Sequence, residues 1–477
     1  MRSERAAAIA LAAILTLQLM LTLDAQVMTV ALPSIRADLD FSKAQLSWIP
    51  NAYAITFGGL ILLGGRLGDA FGRARVFLIG TGVFVVASLI GGLAFDPISL
   101  IGARVLQGVG AAIAAPSVLA LILTMAKDAA ARARGMAQFT AISAIGASAG
   151  LILGGVLTDL ASWRWGLLLN APIGIVVMII VKRLVPDTTR HRQERFDVPG
   201  ALLATLGSVS LVWAFIHAAD HGWGNGGTIA FFAAAVVLIS MLVVAERRIA
   251  TPLIAIHLLN DRARVGALIN MGLTLGAQFS MLFLIAQYLQ QVLDLNPLLA
   301  GLAFLPLTIT IGTVTQWVPR WVVRFGALPL LVPGGVLIAL SFVLWAPLDE
   351  SSSYVGVLIP LIVHALGCAL IFTAGTMVAL DRVPDADAGS ASGMLQMVQQ
   401  IGGALGIAVV VSVYSANSVE NEFVPGLDAA FWTAGGLAAV AALVALVTIR
   451  GGGLGHQSEA GLVTSGSEAK DGGSTPA

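Results

Sequence analysis

Residues 65–78 read GRLGDAFGRARVFL, a charged, glycine-rich island between two long apolar runs. Working outward, the chain arrives along an apolar segment at 45–64 and leaves along another at 76–95, so the island reads as a tight hairpin between two membrane helices. Gly65, Gly68 and Gly72 let the backbone turn and pack closely, while Arg66, Arg73 and Arg75 hold the turn at the cytoplasmic surface. Asp69 stands among these arginines, where a carboxylate adds nothing to lipid anchoring. It is read as a partner for a helix end or for a basic group on a neighbouring segment.

The rest of the chain has the composition such a hairpin requires. Its 477 residues are 57% hydrophobic and 11% charged, with a mean hydropathy of +0.91, too apolar for a soluble globular protein. Net charge is zero, which excludes a generally basic nucleic-acid binder and moves the question to where each charge sits. The single cysteine, Cys368, lies in an apolar run and permits no intrachain disulfide. Each crossing needs about 20 apolar residues. Fourteen such runs occur, near 6–32, 45–64, 76–95, 98–123, 136–158, 164–181, 198–219, 227–245, 265–293, 298–318, 327–347, 353–379, 392–415 and 427–449, which predicts an all-α polytopic membrane protein.

Charge placement orients it. With the N terminus inside, the N-terminal segment, the even-numbered turns and the tail hold 22 basic residues; the outside loops hold only Arg36, Lys43 and Arg164, and Arg104 lies within a span. Cytoplasmic loops retain positive charge, so both termini are expected inside. An offset of 254 carries Arg66 and Gly72 onto Arg320 and Gly326, and Gly135 onto Gly389. That spacing fits a six-helix half at 1–184, two inserted helices at 185–262, a second six-helix half at 263–449 and a disordered cytoplasmic tail at 450–477. The acidic loop with Asp381, Asp385 and Asp387 is either a latch onto first-half arginines or a solvated loop.

The island resembles the loop signature of the major facilitator superfamily, matched by Gly65, Leu67, Gly68, Asp69, Gly72, Arg73 and Arg75, with Ala70 in place of the usual basic residue. Residues 23–33, LDAQVMTVALP, resemble the first-helix signature of the fourteen-span drug:proton antiporters. Asp24 and the run Val30 to Pro33 match, while Gln26 replaces the family threonine and Thr29 the asparagine. ARVLQGVGAA at 103–112 resembles the superfamily motif around Arg104 and Gln107. GASAGLILGG at 146–155 resembles the antiporter glycine motif, with Leu151 where the family has proline, and WRWGLLLNAPIG at 163–174 is typical of the same branch. The resemblance implies a major facilitator fold whose two halves rock around a midplane cavity. It implies a monomeric secondary transporter of the bacterial cytoplasmic membrane that exports small organic, amphipathic drug-like compounds in exchange for protons. The implied partners are that substrate, protons and the lipid bilayer, with no nucleic acid, no cofactor and no metal. The sequence has no nucleotide-binding loop, metal-ligand cluster or nucleophile elbow, so an enzyme is not expected. Proton-coupled import of a metabolite and a non-transporting receptor are the alternative functions.

Several residues are candidates for the site. A charge in mid-span costs about 2.5 to 3.5 kcal/mol on insertion scales, so Asp24 and Arg104 are expected at comparable depth, facing the bundle interior, either as a proton-coupling pair or as a static ion pair. Gln107 is three residues from Arg104 and shares its face. Gln26, Gln107, Gln278 and His364 are candidate cavity residues, the amides and the histidine being equally suited to bonds between helices. Gly146, Gly150, Gly154 and Gly155 form the glycine motif, a face that admits another helix closely. Asp69 and Arg73 are expected to gate the switch between states.

Overall fold

The computed structural model describes residues 2–42, 45–125, 128–186, 197–247, 256–383, 387–419 and 422–449; within the helices it leaves out some side chains, Asp69 among them. The described segments are helices and short connections, as expected where lipid offers no partner for backbone N–H and C=O groups. α1 (Arg2–Leu39), α2 (Trp48–Phe71), α3 (Arg73–Gly92), α4 (Pro97–Met125) and α5 (Ala129–Leu160) precede a broken span, α6 (Arg164–Leu168) and α7 (Asn170–Leu184). α8 (Val198–His221) and α9 (Gly226–Glu246) form a hairpin. There follow α10 (Arg262–Gln291), a second broken span of α11 (Pro297–Ala303) and α12 (Leu305–Thr315), the short α13 (Val318–Phe325), then α14 (Leu328–Trp345), α15 (Tyr354–Ala379), α16 (Ala388–Asn417) and α17 (Leu427–Thr448).

Among the described residues, 13 helical stretches are long and apolar enough to cross a membrane. The remaining expected span, 136–158, falls inside α5, which at 32 residues is about 48 Å long. Burial separates centre from rim: 83% of the apolar window of α10 is buried against 11% for α9, so α10 is central and α9 faces lipid. α8 packs on both α2 and α16, where Val212 and Ile216 meet Ile55, Ala404 and Ala408.

Two helix ends differ from expectation. α2 continues past Gly65 to Phe71, and Gly72 alone turns the chain at φ 96°, its N–H bonded to the Gly68 carbonyl at 3.1 Å. Of the glycines expected to let the chain turn and pack closely, Gly72 makes the turn and Gly68 the close contact. A Cβ on Gly68 would lie 2.7 Å from the Arg73 stem, and Arg73 Nη1 donates to the Gly65 carbonyl at 3.0 Å. Gly326, 254 residues after Gly72, repeats the turn at φ 84°, with its N–H 2.8 Å from the Val322 carbonyl. α1 likewise runs through Pro33 to Leu39, past the expected end near residue 32, so Asp24 is about 22 Å from that end. Proline forfeits one backbone bond, but its φ suits a helix.

The acidic loop after α15 is tied to the α10 side. Asp387 Oδ2 lies 2.9 Å from His257 Nε2, and buried Arg264 donates to the carbonyls of Ala379 and Asp381 at 3.0 and 2.7 Å. Asp385 and the tail 450–477 lie outside the described residues.

Candidate functional site

The site begins with small residues on α4. A Cβ on Gly108 would lie 2.8 Å from the Tyr53 carbonyl oxygen of α2, and one on Gly110 would lie 2.5 Å from the Phe84 nitrogen of α3. This close approach lets Arg104, one turn before Gly108, donate from Nε to the Ile49 carbonyl at 3.1 Å, with its guanidinium 4.6 Å from the centroid of the Tyr53 ring. On α5, Gly146, Gly150 and Gly154 face α1. Built Cβ atoms there would lie 3.0 Å from Thr22 Cβ, 2.7 Å from Gln26 Cβ and 2.7 Å from Val27 Cα, so the glycine face positions the stretch of α1 that carries Asp24.

Asp24 and Arg104 form an ion pair with side-chain exposures of 0% and 1%, so both charges are fully desolvated. Asp24 Oδ2 accepts from Arg104 Nη1; Oδ1 accepts from Gln107 Nε2 and Asn170 Nδ2, each at 3.0 Å. Arg104 Nη1 also donates to Gln107 Oε1 at 2.8 Å, and Ser88 Oγ accepts from Gln107 and Asn170 at 2.8 and 3.3 Å. Four helices, α1, α3, α4 and α7, supply this cluster, and both oxygens of the carboxylate are engaged. A buried pair of this kind is intolerant of losing one partner, a change worth about 3 to 5 kcal/mol.

Beside the pair is a partly open cavity between α1, α2, α4, α10 and α16. Arg104 is the one charged residue on its described wall, which also carries Gln26, Thr29, Tyr53 and Gln400 among apolar groups such as Phe279, Leu282 and Phe283. Gln26 thus lies where the sequence places it, and Gln107 is within the cluster behind the wall. Gln278 and His364 do not line the cavity. His364 Nε2 lies 2.8 Å from Gln278 Oε1, which also accepts from Cys368 Sγ at 2.9 Å, and His364 Nδ1 lies 2.9 Å from Ser341 Oγ. These groups tie α10, α14 and α15 together, the second of the two uses open to them. At the offset of 254, Gln278 is the counterpart of Asp24, whereas Arg104 falls on Leu358 and Gln107 on Leu361, so the second half does not repeat the ion pair.

At the ends that the charge pattern places outside, α5 meets α11. A Cβ on Gly155 would be 2.9 Å from Leu298 Cα, and Gln290 Nε2 on α10 donates to the Val30 carbonyl of α1 at 2.9 Å. At the opposite end, Arg75 is exposed, and the side chain of Asp69 lies outside the described residues.

The sequence profile of the Major Facilitator Superfamily matches residues 14–407. The chain belongs to that superfamily. Its members are transporters, not enzymes, and this one is a multi-pass membrane protein. The chain is 37% identical over 409 residues to the puromycin resistance protein pur8 of Streptomyces alboniger, covering 84% of this chain and 81% of that protein. It is 38% identical over 403 residues to the cephamycin export protein CmcT of Amycolatopsis lactamdurans, covering 83% of each. The multidrug efflux pump LfrA of Mycolicibacterium smegmatis is 30% identical over 92% of this chain and 88% of the pump. Among solved structures, the POT family transporter PepTSo superposes with a TM-score of 0.70 at 14% identity, over 94% of this chain and 98% of that one, which shows the shared fold.

The cavity wall is mostly apolar with a few polar groups, and the carboxylate lies behind it, paired with the one charged residue on that wall. Sequence reasoning did not single out Ser88, Asn170 or Tyr53. Asn170 lies within the quoted 163–174 run, where its place as the first residue of α7, just after a break in the span, is the signal available.

Proposed function

We propose that the chain exports small amphipathic organic compounds across the bacterial cytoplasmic membrane in exchange for protons, by alternating access. The observation that carries this reading is the buried Asp24–Arg104 pair at the wall of an apolar cavity shared by α1, α2, α4, α10 and α16. Proton uptake on Asp24 removes the partner of Arg104 and changes the wall from neutral to positive, so proton and substrate occupancy influence each other. Relatives named for puromycin resistance, cephamycin export and multidrug efflux support the direction of transport. The topology proposed is fourteen spans with both termini cytoplasmic, two six-helix halves flanking α8 and α9, and a monomer in the bilayer. Asp69 and Arg73 gate the cytoplasmic side.

The test is exchange in everted vesicles holding a pH gradient, with wild type and Asp24→Asn compared on a panel of dyes and antibiotics. Substrate-dependent proton release by the wild type, and a folded, inserted Asn variant without it, are expected. Proton-driven export retained by the variant removes Asp24 from the coupling role. Loss of folding favours a static pair.

A further inference from the structure

The polar inventory of the cavity is unbalanced. Both carboxylate oxygens of Asp24 are engaged by Arg104, Gln107 and Asn170, and no other carboxylate lies on the described wall. A substrate cation therefore finds no free counter-ion. Thr29 donates its hydroxyl proton to the Ala25 carbonyl at 3.1 Å, leaving its oxygen lone pairs as the group it can offer. Gln26 lines the cavity, and its Oε1 is buried with no hydrogen-bond partner among the described residues. Gly150 packs against the base of this side chain, a built Cβ there lying 2.7 Å from Gln26 Cβ. Gln26 also stands where the resembled family carries the shorter threonine, so the longer amide side chain at this position belongs to this chain's own sequence.

An acceptor held out of water without a donor is costly, and binding a donor removes that cost. We propose that Gln26 is a specificity-determining residue that selects amphipathic substrates bearing an N–H donor, an amine or an amide, over quaternary ammonium compounds of the same size and charge. The aromatic and aliphatic wall of Phe279, Leu282 and Phe283 takes the apolar body of the substrate, and Gln26 Oε1 receives the N–H. This inference rests on the proposed role of the cavity in holding an organic substrate.

The experiment compares two fluorescent probes built on one lipophilic chromophore, a primary ammonium and its trimethylated quaternary form, binding to the purified protein in detergent. Wild type should bind the N–H probe about tenfold more tightly, the effect of one charge-assisted hydrogen bond. Gln26→Leu should reduce that ratio to about twofold or less, and Gln26→Asn, which keeps an amide at shorter reach, should retain part of it; monodispersity of each variant on gel filtration confirms folding. Comparing ratios between variants cancels the different hydration of the two head groups. A ratio unchanged in Gln26→Leu, or equal binding of the probes by wild type, overturns the selectivity while leaving the export reading intact. A wild-type protein that binds neither probe nor any compound of the vesicle panel overturns both.

Discussion

The Arg104 guanidinium serves Asp24, Gln107 and the Ile49 carbonyl at once, and its planar fork is what allows this. Arg104→Lys keeps the charge but not the simultaneous bonds. We expect transport measured as dye efflux from proteoliposomes to fall about tenfold or more, the worth of a lost hydrogen bond to a charged group. His364→Gln should behave differently, because His364 is tied to Gln278 and Ser341 and does not meet the cavity. It should lower stability by about 1 to 3 kcal/mol in thermal unfolding and leave the pH profile of transport in place. Asp24, Arg104 and Gln107 were legible in the sequence because a charge or a paired amide in mid-span must have a reason. Ser88 was not, since a hydroxyl in a span most often bonds its own helix, as Thr81 does to the Phe77 carbonyl. For His364 the sequence supplied depth along the helix but not the direction in which the side chain points.

At the scale of the element, helix contacts explain both the place of the turn and the site's alignment. Glycines 65, 68 and 72 within eight residues all suit a turn, yet only Gly72 has a φ that L side chains rarely adopt. Gly72→Ala should therefore cost about 1 to 2 kcal/mol, and Gly326→Ala a similar amount, each read from thermal unfolding in detergent. Gly108→Val acts on the site itself. With the α2 backbone 2.8 Å from a built Cβ, the larger side chain must push α2 and α4 apart and draw Arg104 away from Ile49. A folded Gly108→Val protein should show the transport loss of an Arg104 variant; full activity would show that the α2–α4 approach does not position the arginine. The glycine motif of α5 was legible as a seam, but its partner, the Asp24 stretch of α1, was not, because spacing says that a helix approaches and not which one.

On the scale of the whole molecule, the sequence laid out the order of helices and left their adjacency open. Apolar runs and basic loops mark where the chain crosses, whereas the seating of α8 between α2 and α16 depends on side chains far apart in sequence, Ile55, Val212 and Ala404. Reporter fusions at the tail and after residue 225 should show opposite sidedness; the same sidedness for both would remove the fourteen-span topology. The α5–α11 contact offers a test of alternating access. Cysteines at 159 and 296, where the native Asn296 Nδ2 donates to Asp159 Oδ2 at 3.3 Å across this contact, in a background with Cys368→Ala, should cross-link through a short reducible bifunctional thiol reagent, stop transport and release it again on reduction. Undiminished transport by the cross-linked protein would show that this contact does not have to open.

An ionised Asp24 and Arg104 sum to zero, and with a proton on the carboxylate the same two side chains carry one positive charge. The membrane potential therefore has no grip on the ion pair and full grip on its protonated form, about 2.3 kcal/mol per charge for each 100 mV across the bilayer. Exchanging one proton for a neutral amide would move one net positive charge inward per cycle, whereas exchanging it for an ammonium would move none. Voltage would then drive the export of one class of substrate and be silent for the other, through a single carboxylate.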